Sequence, residues 1–175
     1  MEYLYIALGI MVTLFIINQV LIPPLRLKNI YNTLLKLEDK GFMVSIAKNK
    51  NYEFILENED ITFLVKTVAI PSNSAVTINS KNTWKLSWGG SSANKGRAYP
   101  HDRYLVEIKP FLNEVIKKEK KTIKLILLYK STEKILMYLN ESELDLITPK
   151  MMPYGYKVTS LNNIEKDFDD LINIK

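Results

Sequence analysis

The sequence predicts an α/β (α+β) fold in which an N-terminal transmembrane helix leads into a mixed β-sheet flanked by helices. Three observations carry this. Residues 3–22 (YLYIALGIMVTLFIINQVLI) hold no charged side chain, and roughly 20 apolar residues suffice to cross the hydrocarbon core of a bilayer. Residues 60–70 (DITFLVKTVAI) are β-branched and aromatic, lack a helical period and end at Pro71. That is the pattern of a buried central strand. Elsewhere helical spacing and strand-like alternation follow one another, as in a sheet with helices packed on it.

The 175 residues divide into an anchor, residues 1–24, and one domain, residues 25–175, long enough to bury a core. The absence of cysteine excludes disulfides and thiolate catalysis, and leaves any zinc site to one histidine and carboxylates. The net charge of +5 is moderately basic, with lysine far outnumbering arginine. A cleaved signal peptide would bring a basic start, a shorter apolar core and a small-x-small site. Residues 1–22 offer only Glu2 and Ile22 at those places, so the span reads as uncleaved. Arg26, Lys28, Lys36 and Lys40 follow it, and no Lys or Arg precedes it. The positive-inside rule then predicts a single-pass protein of the cell membrane with its C-terminal domain in the cytoplasm.

Along the chain, Pro23-Pro24 is expected to stop the first helix. Residues 25–40 place Leu27, Ile30, Tyr31, Leu34, Leu35 and Leu37 at helical spacing, ended by Gly41. Residues 42–48 and 52–56 alternate as strands around the turn Asn49-Lys50-Asn51, and residues 57–60 turn into the central strand. Together these predict an antiparallel meander. Residues 71–82 read as a polar loop, 83–88 as a short strand with Trp84 and Trp88, and 89–100 as a long loop. Asp102 is a candidate N-cap for a helix carrying Tyr104, Leu105, Ile108, Leu112, Val115 and Ile116, kinked at Pro110. A lysine-rich exit, residues 117–124, precedes strands at 122–129 and 135–139. Residues 161–174 close the chain as an amphipathic helix with Leu161, Ile164, Phe168, Leu171 and Ile172 inward.

Lys66 puts one ammonium group in the middle of the central strand. A lysine there must be paired, must snorkel to an open edge, or must serve chemistry.

With the strand FLVKT at Phe63–Thr67, Trp84 downstream, Tyr99-Pro100 before the next helix and the helix–meander–helix–strand order, residues 25–170 resemble a NERD (nuclease-related) domain. That family is a branch of the PD-(D/E)xK restriction-endonuclease-like fold. The resemblance implies Mg²⁺-assisted phosphodiester cleavage, with carboxylates holding the metal and a lysine orienting the attacking water. Lys66 matches that lysine. The acid two residues earlier is replaced by Leu64, and the aspartate expected at the start of the preceding strand by Asn51. The helix signature Asn-Pro-x-x-Gln meets Tyr99 and Arg103 in place of its Asn and Gln, and the acid of the first helix falls near Lys28 or Asn29. The resemblance therefore implies a NERD-like domain without catalysis, acting by binding nucleic acid or a protein partner, with no cofactor.

Strand parity places Asn51 and Glu53 on one face. The alternative is thus a membrane-tethered Mg²⁺-dependent nuclease with a site rearranged around Glu53 and Lys66, Asn51 its second metal ligand. A structural ion pair between Glu53 and Lys66 is the simpler expectation. A third reading is a structural interaction domain without nucleic-acid affinity. Lys95, Arg97, His101 and Arg103, interleaved with Tyr99 and Tyr104, are the expected nucleic-acid contacts, since basic and aromatic side chains suit phosphate and base. Arg26, Lys28 and the lysine-rich exit suit anionic lipid. Neither G-x-x-x-x-G-K nor G-x-G-x-x-G occurs.

Overall fold

A computed structural model of the chain describes residues 2–89, 99–116, 120–132, 134–140 and 143–173. Helix α1 (Glu2–Ile16) runs through a π-helical turn (Ile17–Leu21) into α2 (Ile22–Leu35) and a 3₁₀ turn (Lys36–Lys40). Gly41, at φ 81°, ends the run in the left-handed conformation that glycine adopts without strain. Pro23 and Pro24 do not stop the helix. They sit at the start of α2, directly after the π-helical turn, a local widening of the helix of the kind that accommodates an interrupted hydrogen-bond ladder. Among the described residues no helix is long and apolar enough to cross a membrane; residues 3–22 are shared between α1, the π-helical turn and the start of α2.

Among the described residues ten strands follow in two sheets. The first has the order β1 (Met43–Ile46), β2 (Phe54–Glu57), β3 (Ile61–Ala69), β7 (Lys121–Tyr129), β10 (Tyr156–Ser160). The meander β1–β2–β3 is antiparallel, as expected, and β7 and β10 join parallel to β3. The second sheet has the order β6 (His101–Tyr104), β5 (Thr83–Trp88), β4 (Ser74–Ser80), β8 (Lys134–Asn140), β9 (Glu143–Leu146).

Alternation along β3 and β7 explains the layering, since successive side chains face opposite sides of a strand. Phe63, Val65, Ile123, Leu125 and Leu127 meet Ile30, Leu34 and Leu37 of the first helical run and Phe168 and Leu171 of α4 (Ile164–Ile172). Leu64, Val68, Ile126 and Leu128 point the other way, onto Val76, Ile78, Trp84 and Leu86 of the second sheet. Helices, first sheet and second sheet thus form three layers around two cores. β3 is buried on both sides, which is why it reads as an almost unbroken apolar run.

The expectations for residues 71–82 and 102–116 are corrected. The first is the strand β4, not a loop: Ala75, Val76 and Ile78 are buried, and β4 pairs with both β5 and β8. Its serines, asparagine and threonine suggest a loop, but tertiary pairing overrides that local bias. In the second, residues 101–104 pair with β5 as the edge strand β6. Only a 3₁₀ turn (Val106–Ile108) and the five-residue α3 (Lys109–Asn113) are helical there. Asp102 is therefore no N-cap, and Pro110 opens α3 instead of kinking a longer helix. Leu105, Ile108 and Leu112 are still buried, but Val115 is exposed. Residues 117–119 of the lysine-rich exit lie outside the described residues. The closing helix begins as a 3₁₀ turn at Leu161 and continues as α4, with the expected apolar face inward.

Lys157 in β10 is fully buried, its ammonium donating to the carbonyls of Pro149 (2.8 Å), Lys150 (3.0 Å) and Asp170 (3.3 Å). It ties α4 and the 149–150 turn to the sheet. Burial lowers its pKa below the ordinary 10.5, against the opposing pull of Asp170. Below 10.5 the unfolded chain then binds more protons than the folded one, so this group's contribution to stability rises as the pH rises toward 10.5.

Two outcomes are expected. Phe168→Ala, which removes the ring packed edge-on to Phe42 at 4.9 Å, costs about 3–5 kcal/mol in denaturant unfolding. Lys157→Met orphans the three carbonyls and costs about 1–3 kcal/mol, and the gap from wild type widens as the pH is raised toward 10.5.

Candidate functional site

β3 outlasts its neighbour. β2 pairs with it only as far as Phe54 opposite Val65, and Glu53 N–H closes the ladder on Val65 C=O at 3.0 Å. Beyond that point, among the described residues, β3 has no strand beside it on the β2 side. The Thr67 N–H faces the same side as Val65, because edges alternate along a strand. Its partner is a side chain: Glu53 Oε2 accepts from Thr67 N at 2.7 Å and from Thr67 Oγ1 at 3.2 Å. Glu53 Oε1 accepts from Lys66 Nζ at 2.7 Å. One carboxylate thus replaces a missing strand and neutralises the lysine on the neighbouring position. Side-chain exposure is 14 % for Lys66 and 25 % for Glu53, low enough that an unpaired charge there would be costly.

Asn51, the expected second ligand, lies elsewhere. It accompanies Asn49 in a turn closed by Asn51 N–H on Asn49 Oδ1 at 2.7 Å. The two side-chain amides donate to Glu114, just past α3, at 3.0 Å from Asn49 and 3.2 Å from Asn51. Lys124 of β7 reaches the same place from the sheet, donating to the carbonyls of Leu112 and Glu114, both at 2.7 Å. Its ammonium also stands over the rings of Phe111 (5.5 Å) and Tyr156 (5.7 Å), an arrangement that favours a cation. Burial nonetheless lowers its pKa. Tyr156 donates its hydroxyl to Leu112 C=O at 3.0 Å, and burial raises its pKa.

Lys124 pairs in register with Leu64, two residues before Lys66, so both lysines rise from one face of the first sheet. Lys124 and Glu114 were not expected from the sequence. The signal that marks Lys66, one ammonium inside a β-branched run, is also present at Lys124 in TIKLILLY.

The residues of the expected nucleic-acid surface divide. Lys95 and Arg97 lie outside the described residues. His101 and Arg103 are exposed on the edge strand β6. His101 lies against Trp88, ring centroids 5.7 Å apart. Arg103 is held by Glu107 through two hydrogen bonds of 2.8 and 3.0 Å. Burial would raise the Glu107 carboxyl, but the Arg103 hydrogen bond, the residue's own backbone N–H and the charges of Arg103 and Lys66 together hold it below its ordinary value; the Arg103 hydrogen bond to Glu107 in turn raises the guanidinium. Tyr99 is half-buried just before β6. Tyr104 is exposed on β6, and Lys85 of β5 pairs with Asp102 at 2.7 Å.

The chain matches no protein-family model, no curated protein and no solved structure.

The residues present do not fit a magnesium site of the kind the resemblance implies. Both oxygens of Glu53 are engaged, Leu64 is in the core between the sheets, and Asn51 belongs to Glu114. Hard cations need several oxygens converging. Among the described residues no group of three or more His, Asp or Glu side chains is placed to hold a metal ion.

Removing either partner of the ion pair tests its role. Lys66→Met leaves the Glu53 carboxylate with Thr67 alone and costs about 1–3 kcal/mol. Glu53→Ala orphans both Lys66 and the Thr67 N–H, so it costs more than Lys66→Met in the same denaturant titration.

Proposed function

We propose that this chain is a membrane-anchored, NERD-like binding module whose nuclease-type lysine serves the fold and not hydrolysis. The observation that carries the reading is the Glu53 carboxylate, saturated by Lys66 Nζ, Thr67 N–H and Thr67 Oγ1. A water-activating site needs a lysine free to meet phosphate and an acid free to meet metal. Neither is free here.

The anchor is α1 with the π-helical turn. Backbone angles stay right-handed helical through Ile16, Leu21 and Ile22, so α1 passes into α2 as one helical run. Tyr3, Leu4, Ile6, Ile10, Phe15, Val20 and other large apolar side chains along it are exposed. Roughly 20 residues at 1.5 Å each give about 30 Å, the thickness of a hydrocarbon core. Arg26 and Lys28 then put the sheets on the cytoplasmic side.

Binding is assigned to the edge strand of the second sheet around Tyr99, His101 and Arg103. Basic and aromatic side chains there favour a nucleic-acid backbone, while an edge strand also favours an extended protein segment. Salt separates the two, because phosphate contacts weaken steeply as salt rises.

The expected results are as follows. The full chain co-floats with phospholipid vesicles and resists carbonate extraction. It does not cut plasmid DNA with Mg²⁺ or Mn²⁺ above the level of Lys66→Ala. Metal-dependent cutting that Lys66→Ala abolishes contradicts the reading. DNA retention that falls with salt and with Arg97→Ala plus Arg103→Ala assigns the edge to nucleic acid, whereas its absence contradicts that assignment.

A further inference from the structure

A groove of about 440 Å³ lies between α2 and the β1–β2 end of the first sheet, walled by Pro24, Leu27 and Tyr31 on one side and Ile46 and Phe54 on the other. Its size falls within the roughly 300–1,000 Å³ of ligand pockets. We propose that this groove takes the acyl chain of a phospholipid from the bilayer that α1 enters; the inference rests on the membrane reading above.

Position is the first argument. The exposed apolar run continues through Leu25, and the groove starts at Pro24 on the same helical run. Pro24, Leu27, Lys28 and Tyr31 recur at the i, i+3, i+4, i+7 spacing of one helix face. From Pro24 to Tyr31 the helix rises about 10 Å, and a headgroup layer is about 5–8 Å deep on each side of the hydrocarbon. The groove therefore opens where the hydrocarbon ends and spans the headgroup layer. At its mouth the apolar species in greatest supply is the lipid chain itself.

Surface chemistry is the second. Ile46, on the edge strand β1, is 68 % exposed. It extends the apolar surface outward from the groove at a place where a protein facing only water would gain nothing by it. Lys28 supplies an ammonium on the groove wall for an anionic headgroup. Glu53 also lines the groove, its carboxylate already paired with Lys66, so a buried chain meets no unpaired charge from it.

The test uses the full chain in nanodiscs of phosphatidylcholine and phosphatidylglycerol doped with a phospholipid carrying a diazirine in its acyl chain. Cross-links are mapped by mass spectrometry. The expected result is labelling in two separate segments, residues 3–22 and residues 46–54. Ala47→Trp, which fills the groove from its wall, should cut labelling of 46–54 several-fold with 3–22 unchanged, and Ile46→Glu at the exposed rim should lower it in the same segment. Labelling confined to 3–22, or labelling of 46–54 indifferent to both substitutions, overturns the groove assignment and leaves the anchor standing. Absence of labelling in both segments overturns the anchor and the groove together.

Discussion

The end of strand β2 sets the terms for everything around it. A strand that stops early leaves its neighbour with donors facing nothing, and a buried N–H without an acceptor is among the more costly defects a fold can carry. Here the last residue before β2 supplies the acceptor from its side chain. The same carboxylate answers Lys66, which stands on the face turned toward the second sheet, beside Leu64 and Val68. A single glutamate thus permits the longest strand of the meander to run past its partner, and permits a cation beside the core between the sheets.

Charges near this core follow a common rule: each lysine is answered by oxygens that the backbone or a neighbouring strand had left over. Lys124 takes the carbonyls at the end of α3, where a helix of five residues has more free carbonyls than internal bonds. Lys157 does the same for α4 and the 149–150 turn on the opposite face. Glu114 gathers the two asparagine amides of the 49–51 turn. These contacts fasten short, irregular connections to the first sheet.

The sequence was most legible where one period dominates. The meander, the centrality of β3, the Gly41 stop and the inward face of α4 all follow from alternation or helical spacing strong enough to stand alone. It was least legible in the second sheet. β4 is written in serine, threonine and asparagine, and its burial comes from β5, β8 and the first sheet, none of which is local. Residues 102–116 carry a helical apolar spacing that α3 and the preceding turn use only in part, because pairing of His101–Tyr104 with β5 claims the segment first. At the site, the pairing of Glu53 with Lys66 was readable from parity. The engagement of Thr67 was not, because it depends on where β2 ends, and strand ends are what periodicity defines worst.

Between a nuclease that lost its ligands and a scaffold that uses the same lysine for support, the physical difference is whether Glu53 has an oxygen to spare. Titration of the full chain with Mn²⁺, followed by paramagnetic broadening of amide NMR signals, asks this directly. The structure predicts no saturable broadening of the Lys66 and Thr67 amides at concentrations where Mg²⁺-dependent enzymes are filled. Saturable broadening of those two signals that disappears in Glu53→Gln would show a metal bound where the account places only a hydrogen-bonded ion pair.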